Sequence, residues 1–296
     1  MSNKIMLFIG CLLLAFGLHA QDDVPILLTK SDKKVKYAPG QGEKFSKVSA
    51  VKSLDAGGVL KLSRKSSARL YCNGSFKELE GKGEYTIADL FQDELKYTPM
   101  GFSNTFNGML MAAIGGPRGS DTTSSSSGWG NKKFEIAGET PIGRTTANQS
   151  ITFRWRSREV LPAYEFVIGD ESGKVVHAAT VNEKKYALEL GSLGLNTGKK
   201  YFWKVQAPGG EGASSGKYSF TIADEGEQAA AMEGLQEEEA YKKADPLIRK
   251  LMEAASLEEA EFYYAAGQAY EEATKMSDKG DLPKNMREAF SRRRQN

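Results

Sequence analysis

Imidazoles and thiols are nearly missing from this chain: its 296 residues hold two histidines and two cysteines. Cys11 and His19 lie in the first twenty residues, so a chain trimmed there keeps Cys72 and His177 alone. A lone cysteine cannot close an intramolecular disulfide, and a lone histidine excludes a histidine-rich zinc site. Cys72, within SARLYCNGS, reads as a strand residue beside a turn. No phosphate loop and no dinucleotide-binding glycine pattern occurs, and GGPRG and GGEG lack the strand–helix context such loops need. Strong charge of one sign is also lacking, with a net charge of +2. A mean hydropathy of −0.46 fits a globular protein in water, not one embedded in lipid. Asp93-Glu94 and Asp170-Glu171 fall in expected turns. A glycosidase needs two carboxylates brought together by the fold, and sequence spacing alone does not reveal such a pair. The expectation is a protein without catalysis, cofactor or metal.

What is present begins with a leader. Met1–Lys4 is short and basic, and residues 5–18 are almost wholly apolar, ending in LHAQDD. That is the pattern of a secretory signal peptide over residues 1–20, with Ala20 as the last residue before cleavage. Leu18 is larger than the small residue usual three places before a cut. Gly10-Cys11 offers a lipidation cysteine as the alternative. Either way the chain is expected to be exported, periplasmic or associated with the outer membrane, and away from nucleic acid.

Residues 21–114 have the texture of short strands between turns. Leu60 and Leu62 alternate with Val59, Lys61 and Ser63, the period of a half-buried strand. Asn73-Gly74 is a hairpin signal, and a further strand pair is expected around Gly81-Lys82-Gly83, with Tyr85 and Ile87 in alternation. The stretch GGVLKLSRKSSARLYCNGSFKELEGKGEYTIADL resembles the extracytoplasmic β module of FecR-like proteins. The resemblance implies a small β-sandwich or β-roll. FecR proteins also carry a membrane helix and a part that handles a sigma factor; this sequence shows neither pattern, so that role is not carried over. Met109–Ile114 predicts a short helix covering the core of this module.

Residues 115–145 are rich in glycine and serine and read as a linker. Asp121-Thr122-Thr123 is similar to the O-glycosylation acceptor of Bacteroidota, which makes Thr122 the modified residue. Tyr97 and Trp129, flanking and within this region, join Phe202 as candidate exposed aromatics for a glycan or protein contact.

Residues 146–223 alternate regularly through SITFRWRS, AYEFVIGD, KKYFWKV and KYSFTI, about six strands with turns between. This spacing predicts an antiparallel sandwich. The run resembles a fibronectin type III or related immunoglobulin-like domain: Trp155 matches the buried tryptophan of an early strand, and Leu195, Gly198 and Tyr201 match a tyrosine corner. The aromatics are either a core or a ligand platform. Tyr201, Trp203 and Val205 against Tyr218, Phe220 and Ile222 form two matched faces, worth on the order of 10 kcal/mol if buried, which favours the core. Phe202 points the other way.

Residues 224–296 turn helical. Asp245 and Pro246 open a helix, Ser256 and Glu259 suggest a capping box for the next, and Phe262, Ala266, Ala269, Ala273 and Met276 share one face. A last helix starts near Pro283, and SRRRQN reads as a solvated, dipole-favouring end. AEFYYAAGQAYEEA resembles one tetratricopeptide-type helix; such repeats need about three units for stability, so the hairpin either docks on the sandwich or receives a partner's helix. This tail has 17 acidic and 11 basic residues, net −6, opposite in sign to the β part. The fold class expected is mainly β with a helical C-terminus. The function expected is an exported, non-catalytic envelope scaffold or accessory subunit contacting another envelope protein. The alternatives are a carbohydrate-binding module and a secreted hydrolase.

Overall fold

Ile26, Leu27, Leu28 and Thr29 are consecutive, and all four are buried. A strand with one wet face would alternate; this one is covered on both sides, and what covers each side organises the molecule. The computed structural model describes residues 24–32, 34–96, 101–115, 136–140, 142–210, 212–277 and 280–294. The proposed leader, Cys11, Tyr97, Thr122 and Trp129 lie outside the described residues.

The chain opens with β1 (Ile26–Ser31), β2 (Lys36–Ala38), β3 (Ser46–Lys47), β4 (Lys52–Leu54), β5 (Val59–Leu62), β6 (Ser67–Cys72), β7 (Ser75–Glu80) and β8 (Gly83–Thr86). They form two four-stranded sheets, β4-β1-β6-β7 and β3-β2-β5-β8. Ile26, Leu28, Leu60, Leu62, Leu70 and Phe91 belong to the core of this module. Asn73 and Gly74, with φ of 50° and 83°, make the two-residue β6–β7 hairpin, where Cys72 pairs with Ser75; both positions need the left-handed region that Asn and Gly tolerate. The strand pair expected at Gly81-Lys82-Gly83 does not form. β7 pairs with β6 and β8 with β5, so this turn carries the chain from one sheet to the other. Ile87 does not extend β8 but begins the helical turn α1 (Ile87–Leu90).

The second sandwich comprises β9 (Ile136–Gly138), β10 (Gly143–Thr146), β11 (Ser150–Ser157), β12 (Tyr164–Asp170), β13 (Val175–Val181), β14 (Lys185–Glu189), β15 (Lys200–Gln206) and β16 (Tyr218–Ala223). A three-stranded sheet, β14-β11-β9, faces a five-stranded one, β10-β16-β15-β12-β13. Eight strands replace the six expected, because β9 and β10 reach into the range read as linker. Ile136 and Ile142 are buried there, and strands of three and four residues carry too little periodicity to be seen. Trp155, Trp203, Phe153, Phe166 and Phe220 are at most 2% exposed. Phe153 lies 4.7 Å from Phe166 and 5.3 Å from Trp203, centroid to centroid. The alternating aromatics are core.

The helices are α2 (Phe102–Ile114), α3 (Glu225–Glu237), α4 (Glu239–Lys243), α5 (Pro246–Glu259), α6 (Tyr263–Met276) and α7 (Leu282–Arg294). α2 is longer than Met109–Ile114 and does not cap the first module's interior. Its Phe106, Leu110 and Ala113 join α5, α6 and α7 in a separate core that also takes Leu27 and Tyr71 from the back of β1 and β6. The helical hairpin therefore docks within the chain, on the sheet. Asp245 occupies the N-cap of α5 without a side-chain cap bond. Its carboxylate accepts instead from Thr29 Oγ1 at 3.0 Å and Arg69 Nη1 at 3.1 Å. Ser256 caps nothing: it lies inside α5 and its hydroxyl donates to the Ala231 carbonyl at 3.2 Å. The capping box is at Asp224 and Glu227, opening α3. Met276, placed on the buried face by periodicity, is 45% exposed at the end of α6.

Of the terminal arginines Arg292 is exposed, but Arg293 and Arg294 are half-buried and turn inward. Glu258, 2% exposed, accepts two bonds of 2.8 Å from Arg293, one of 3.1 Å from Arg294 and one of 3.1 Å from the Tyr270 hydroxyl. Arg294 also lies 3.9 Å from the Tyr263 ring centroid. Burial raises the Glu258 carboxyl, but the bonds and charge of Arg293, with Arg294 and Tyr270, outweigh it and hold the group below the ordinary glutamate value. Helices and second sandwich meet at β10. Gly143 (φ 62°) bridges to Phe262, and the Arg144 amide donates to the Glu261 carbonyl at 2.8 Å. A Cβ on Gly143 would stand 2.3 Å from that carbonyl oxygen.

Two consequences are measurable by urea unfolding. Gly143→Ala should cost more than about 2 kcal/mol, since strain and collision add, whereas Gly81→Ala, also left-handed but in open space, should cost about 1–2 kcal/mol; equal losses contradict the close approach. Arg293→Ala/Arg294→Ala should cost about 3 kcal/mol at pH 7 by leaving a buried charge unpaired, and adding Glu258→Leu should recover most of it. A carboxyl held below its unfolded value stabilises above about pH 4.3 and loses that contribution as pH falls through the depressed value. The gap between wild type and the double-alanine variant should therefore close on acidification below the ordinary glutamate range.

Candidate binding surface

The outward face of the five-stranded sheet follows from the inward one. Tyr164, Phe166 and Ile168 point into the core, so Glu165, Val167 and Gly169 of β12 point out. Register places Gly169 beside Phe202 of β15 and Val175 of β13, and Val167 beside Lys204 and Ala178. Gly169 has no side chain, so the row Val175–Gly169–Phe202 dips in the middle. The result is a shallow depression of about 280 Å³ whose lining includes Val167, Gly169, Val175, Phe202 and Lys217. Val175 is 56% exposed. Glu165 is tied to Gln206 Nε2 at 2.7 Å, and the Lys200 ammonium lies 5.6 Å from the Phe202 ring centroid. The centre is apolar and the rim charged, with Lys200, Lys204 and Lys217 on the β15–β16 side.

At one end, the β12–β13 turn is locked by Asp170, whose Oδ1 accepts from the Ser172 hydroxyl at 2.6 Å and from the Ser172 and Lys174 amides at 2.9 and 3.0 Å. Those bonds, the Ser172 hydroxyl foremost, hold the carboxyl below its ordinary value. At the sandwich rim, His177 Nε2 lies 3.1 Å from the Tyr186 hydroxyl, with the rings 5.8 Å apart and nearly parallel. Burial lowers the imidazole's pKa.

Phe202, expected to be the exposed aromatic, is half-buried, with the Lys200 side chain against its ring. Sequence reasoning missed Gly169 and Val175; the signal was a glycine ending an otherwise apolar strand, FVIGD, which marks close approach or a dip. Cys72 is fully buried, and burial, with the nearby Glu94 charge, pushes its thiol up to about 12. Among the described residues no group of three or more His, Cys, Asp or Glu is placed to hold a metal ion. Among them, too, no helix is long and apolar enough to cross a membrane.

No protein-family model and no curated protein matches this chain. Solved structures similar to it include CopC from Methylosinus trichosporium OB3b, with 18% identity over 28% of this chain and 85% of that one, TM-score 0.20. Fibronectin(III)-like modules of Clostridium thermocellum CbhA share 11% identity over 30% of this chain and 95% of theirs, TM-score 0.20. The FN1–FN3 domains of chicken CNTN1 share 12% identity over 69% of this chain and 59% of theirs, TM-score 0.23. Likeness at this level transfers nothing about function.

A protonated, enclosed thiol should not react. Iodoacetamide at pH 8 should leave Cys72 unmodified in the native protein and alkylate it fully in urea, as read by peptide mass mapping. Rapid native labelling would place the thiol at a surface.

Proposed function

We propose that this chain is a non-catalytic, exported cell-envelope protein that works as a scaffold or accessory subunit through protein–protein contacts. The observation that carries the reading is the apolar, lysine-rimmed depression around Phe202, set on a sheet whose opposite face is locked by the aromatic core. An apolar centre with a polar rim on a rigid element is the anatomy of a protein interface. The side chains best suited to chemistry support the same reading: Cys72 is enclosed, His177 bonds to Tyr186, and Glu258 is neutralised by two arginines. The leader-like residues 1–20 and the FecR-like texture of residues 57–90 support an extracytoplasmic setting. The lysines of the rim favour a partner that presents carboxylates around an apolar anchor.

Crosslinking of a tagged chain in intact envelopes, followed by purification, should return a partner in near-stoichiometric amount. Phe202→Asp should return at least about tenfold less, the loss expected when an interface aromatic is removed. Equal recovery would move the interface off this face. No partner from the wild type would end the scaffold reading, and selective glycan capture that depends on Phe202 would replace it with a carbohydrate-binding one.

A further inference from the structure

Like charges set directly opposite on neighbouring strands repel. β11 and β14 carry such a pair, for Arg154 faces Lys185 in the register. Ile151, Phe153 and Trp155 of β11 are buried in the core, so Thr152, Arg154 and Arg156 point outward. Arg154 and Lys185 therefore rise together from the outer face, with Cβ atoms about 5 Å apart. The cations beside Arg154 have acids of their own: Arg156 pairs with Glu139 at 2.5 Å and Lys185 with Glu183 at 3.1 Å. Exposed Arg154 belongs to no ion pair among the described residues. Glu271 of α6 feels its charge but is bonded to Lys275 at 2.9 Å.

The pair opens onto a hollow of about 630 Å³, lined by β11, β14 and the turn between β13 and β14. That volume is in the range of small-molecule sites. The Thr152 hydroxyl and the Asn182 amide face it, and among the described residues neither side chain bonds to another protein group. Val181, Ala187 and Tyr186 add apolar surface. Tyr186 is held from behind by His177, whose Nε2 lies 3.1 Å from its hydroxyl. At the far end the Thr152 amide donates to the Tyr264 hydroxyl at 2.9 Å, which ties β11 to α6.

From this we infer that the hollow binds a carboxylate-bearing sugar, with Arg154 gripping the carboxylate and Lys185 closing on it from the opposite strand. A planar guanidinium matches a carboxylate with two parallel bonds. A phosphate would satisfy the same fork. The unbonded Thr152 and Asn182 side chains, beside apolar Val181 and Ala187, suit the hydroxyls and ring face of a sugar better than a bare ion. The bound carboxylate takes the place of Glu183 at Lys185. That exchange costs little, because the Lys185–Glu183 pair is 62% and 69% exposed, and exposed pairs contribute little. The hollow lies on the three-stranded sheet, across the core from the Phe202 depression, and does not depend on the scaffold reading.

The test is isothermal titration calorimetry of the full chain with trigalacturonate, neutral maltotriose and inorganic phosphate, with thermal unfolding confirming that each variant is folded. The wild type should bind trigalacturonate with a Kd below about 1 mM, more weakly as salt is raised, and the other two probes far more weakly. Arg154→Gln should lower the affinity about tenfold or more, the loss expected for hydrogen bonds to a charged group. Glu183→Gln should raise it about threefold by freeing Lys185, and Phe202→Asp should leave it unchanged. No binding of trigalacturonate at about 10 mM, tenfold above the expected limit, overturns the inference, as does binding indifferent to Arg154→Gln. Equal affinity for maltotriose overturns the carboxylate, and phosphate bound as tightly as trigalacturonate overturns the sugar. Glu183→Gln without a gain overturns the role of Lys185, and loss of binding in Phe202→Asp overturns the choice of face.

Discussion

Glu258 carries a charge out of water at the centre of the helical core, and it stays ionised because Arg293 and Arg294 return to it across 35 and 36 residues. The bidentate Arg293 fork satisfies both oxygens, and Tyr270 adds a further donor. A buried ion pair contributes little net stability, but each partner becomes costly to lose once the other is present. The last helix is thereby committed to one position against α5 and α6. That position completes the surface on which α2 and the back of the first sheet pack.

The second constraint follows from that surface. Helices of this length are marginal alone, and these find their apolar cover in Leu27 and Tyr71, residues of strands already buried on the other side. Polar contacts fix the docking. Tyr71 donates to Asn107 of α2 at 3.1 Å, and Asn107 donates to Asn73 at 2.6 Å. Arg69 pairs with Asp245 and Arg144 with Glu227, so the basic β part and the acidic tail attract as their composition implies. The α5–α6 turn, with Glu261 itself in the left-handed region at φ 66°, closes one edge of the second sandwich. The helices thus touch both β units, and among the described residues the depression on the outer sheet face is lined by residues of the second sandwich.

That division separates stability from contact. The large aromatics of the second sandwich, Trp155, Phe153, Phe166 and Trp203, form a single packed set, which holds the strands rigid. Against that rigid sheet, the absence of one side chain at Gly169 is enough to make a depression. It needs no loop to order on binding, so a contact there avoids the ordering entropy that flexible surfaces lose.

Alternation at period two made the sandwiches legible in the sequence, because each strand there exposes one face and buries the other. Asn73-Gly74 announced its hairpin, since two adjacent left-handed residues suit few other structures. The buried tryptophans and the non-reactive environment of Cys72 followed from the same pattern. Three-residue strands such as β9, the sheet switch at Gly81 and the capping box at Asp224 escaped, because local propensity does not say which neighbour a short segment meets. The terminal arginines escaped for a stronger reason. Charge at a helix end favours the dipole in any sequence, and only the tertiary packing that buries Glu258 beneath α7 turns two of three consecutive arginines, Arg293 and Arg294, from a wet tip into a lock. Sequence alone determined which side chains must leave water; the three-dimensional arrangement decided which charges had to follow them, because a buried carboxylate must find its partner wherever the chain brings one.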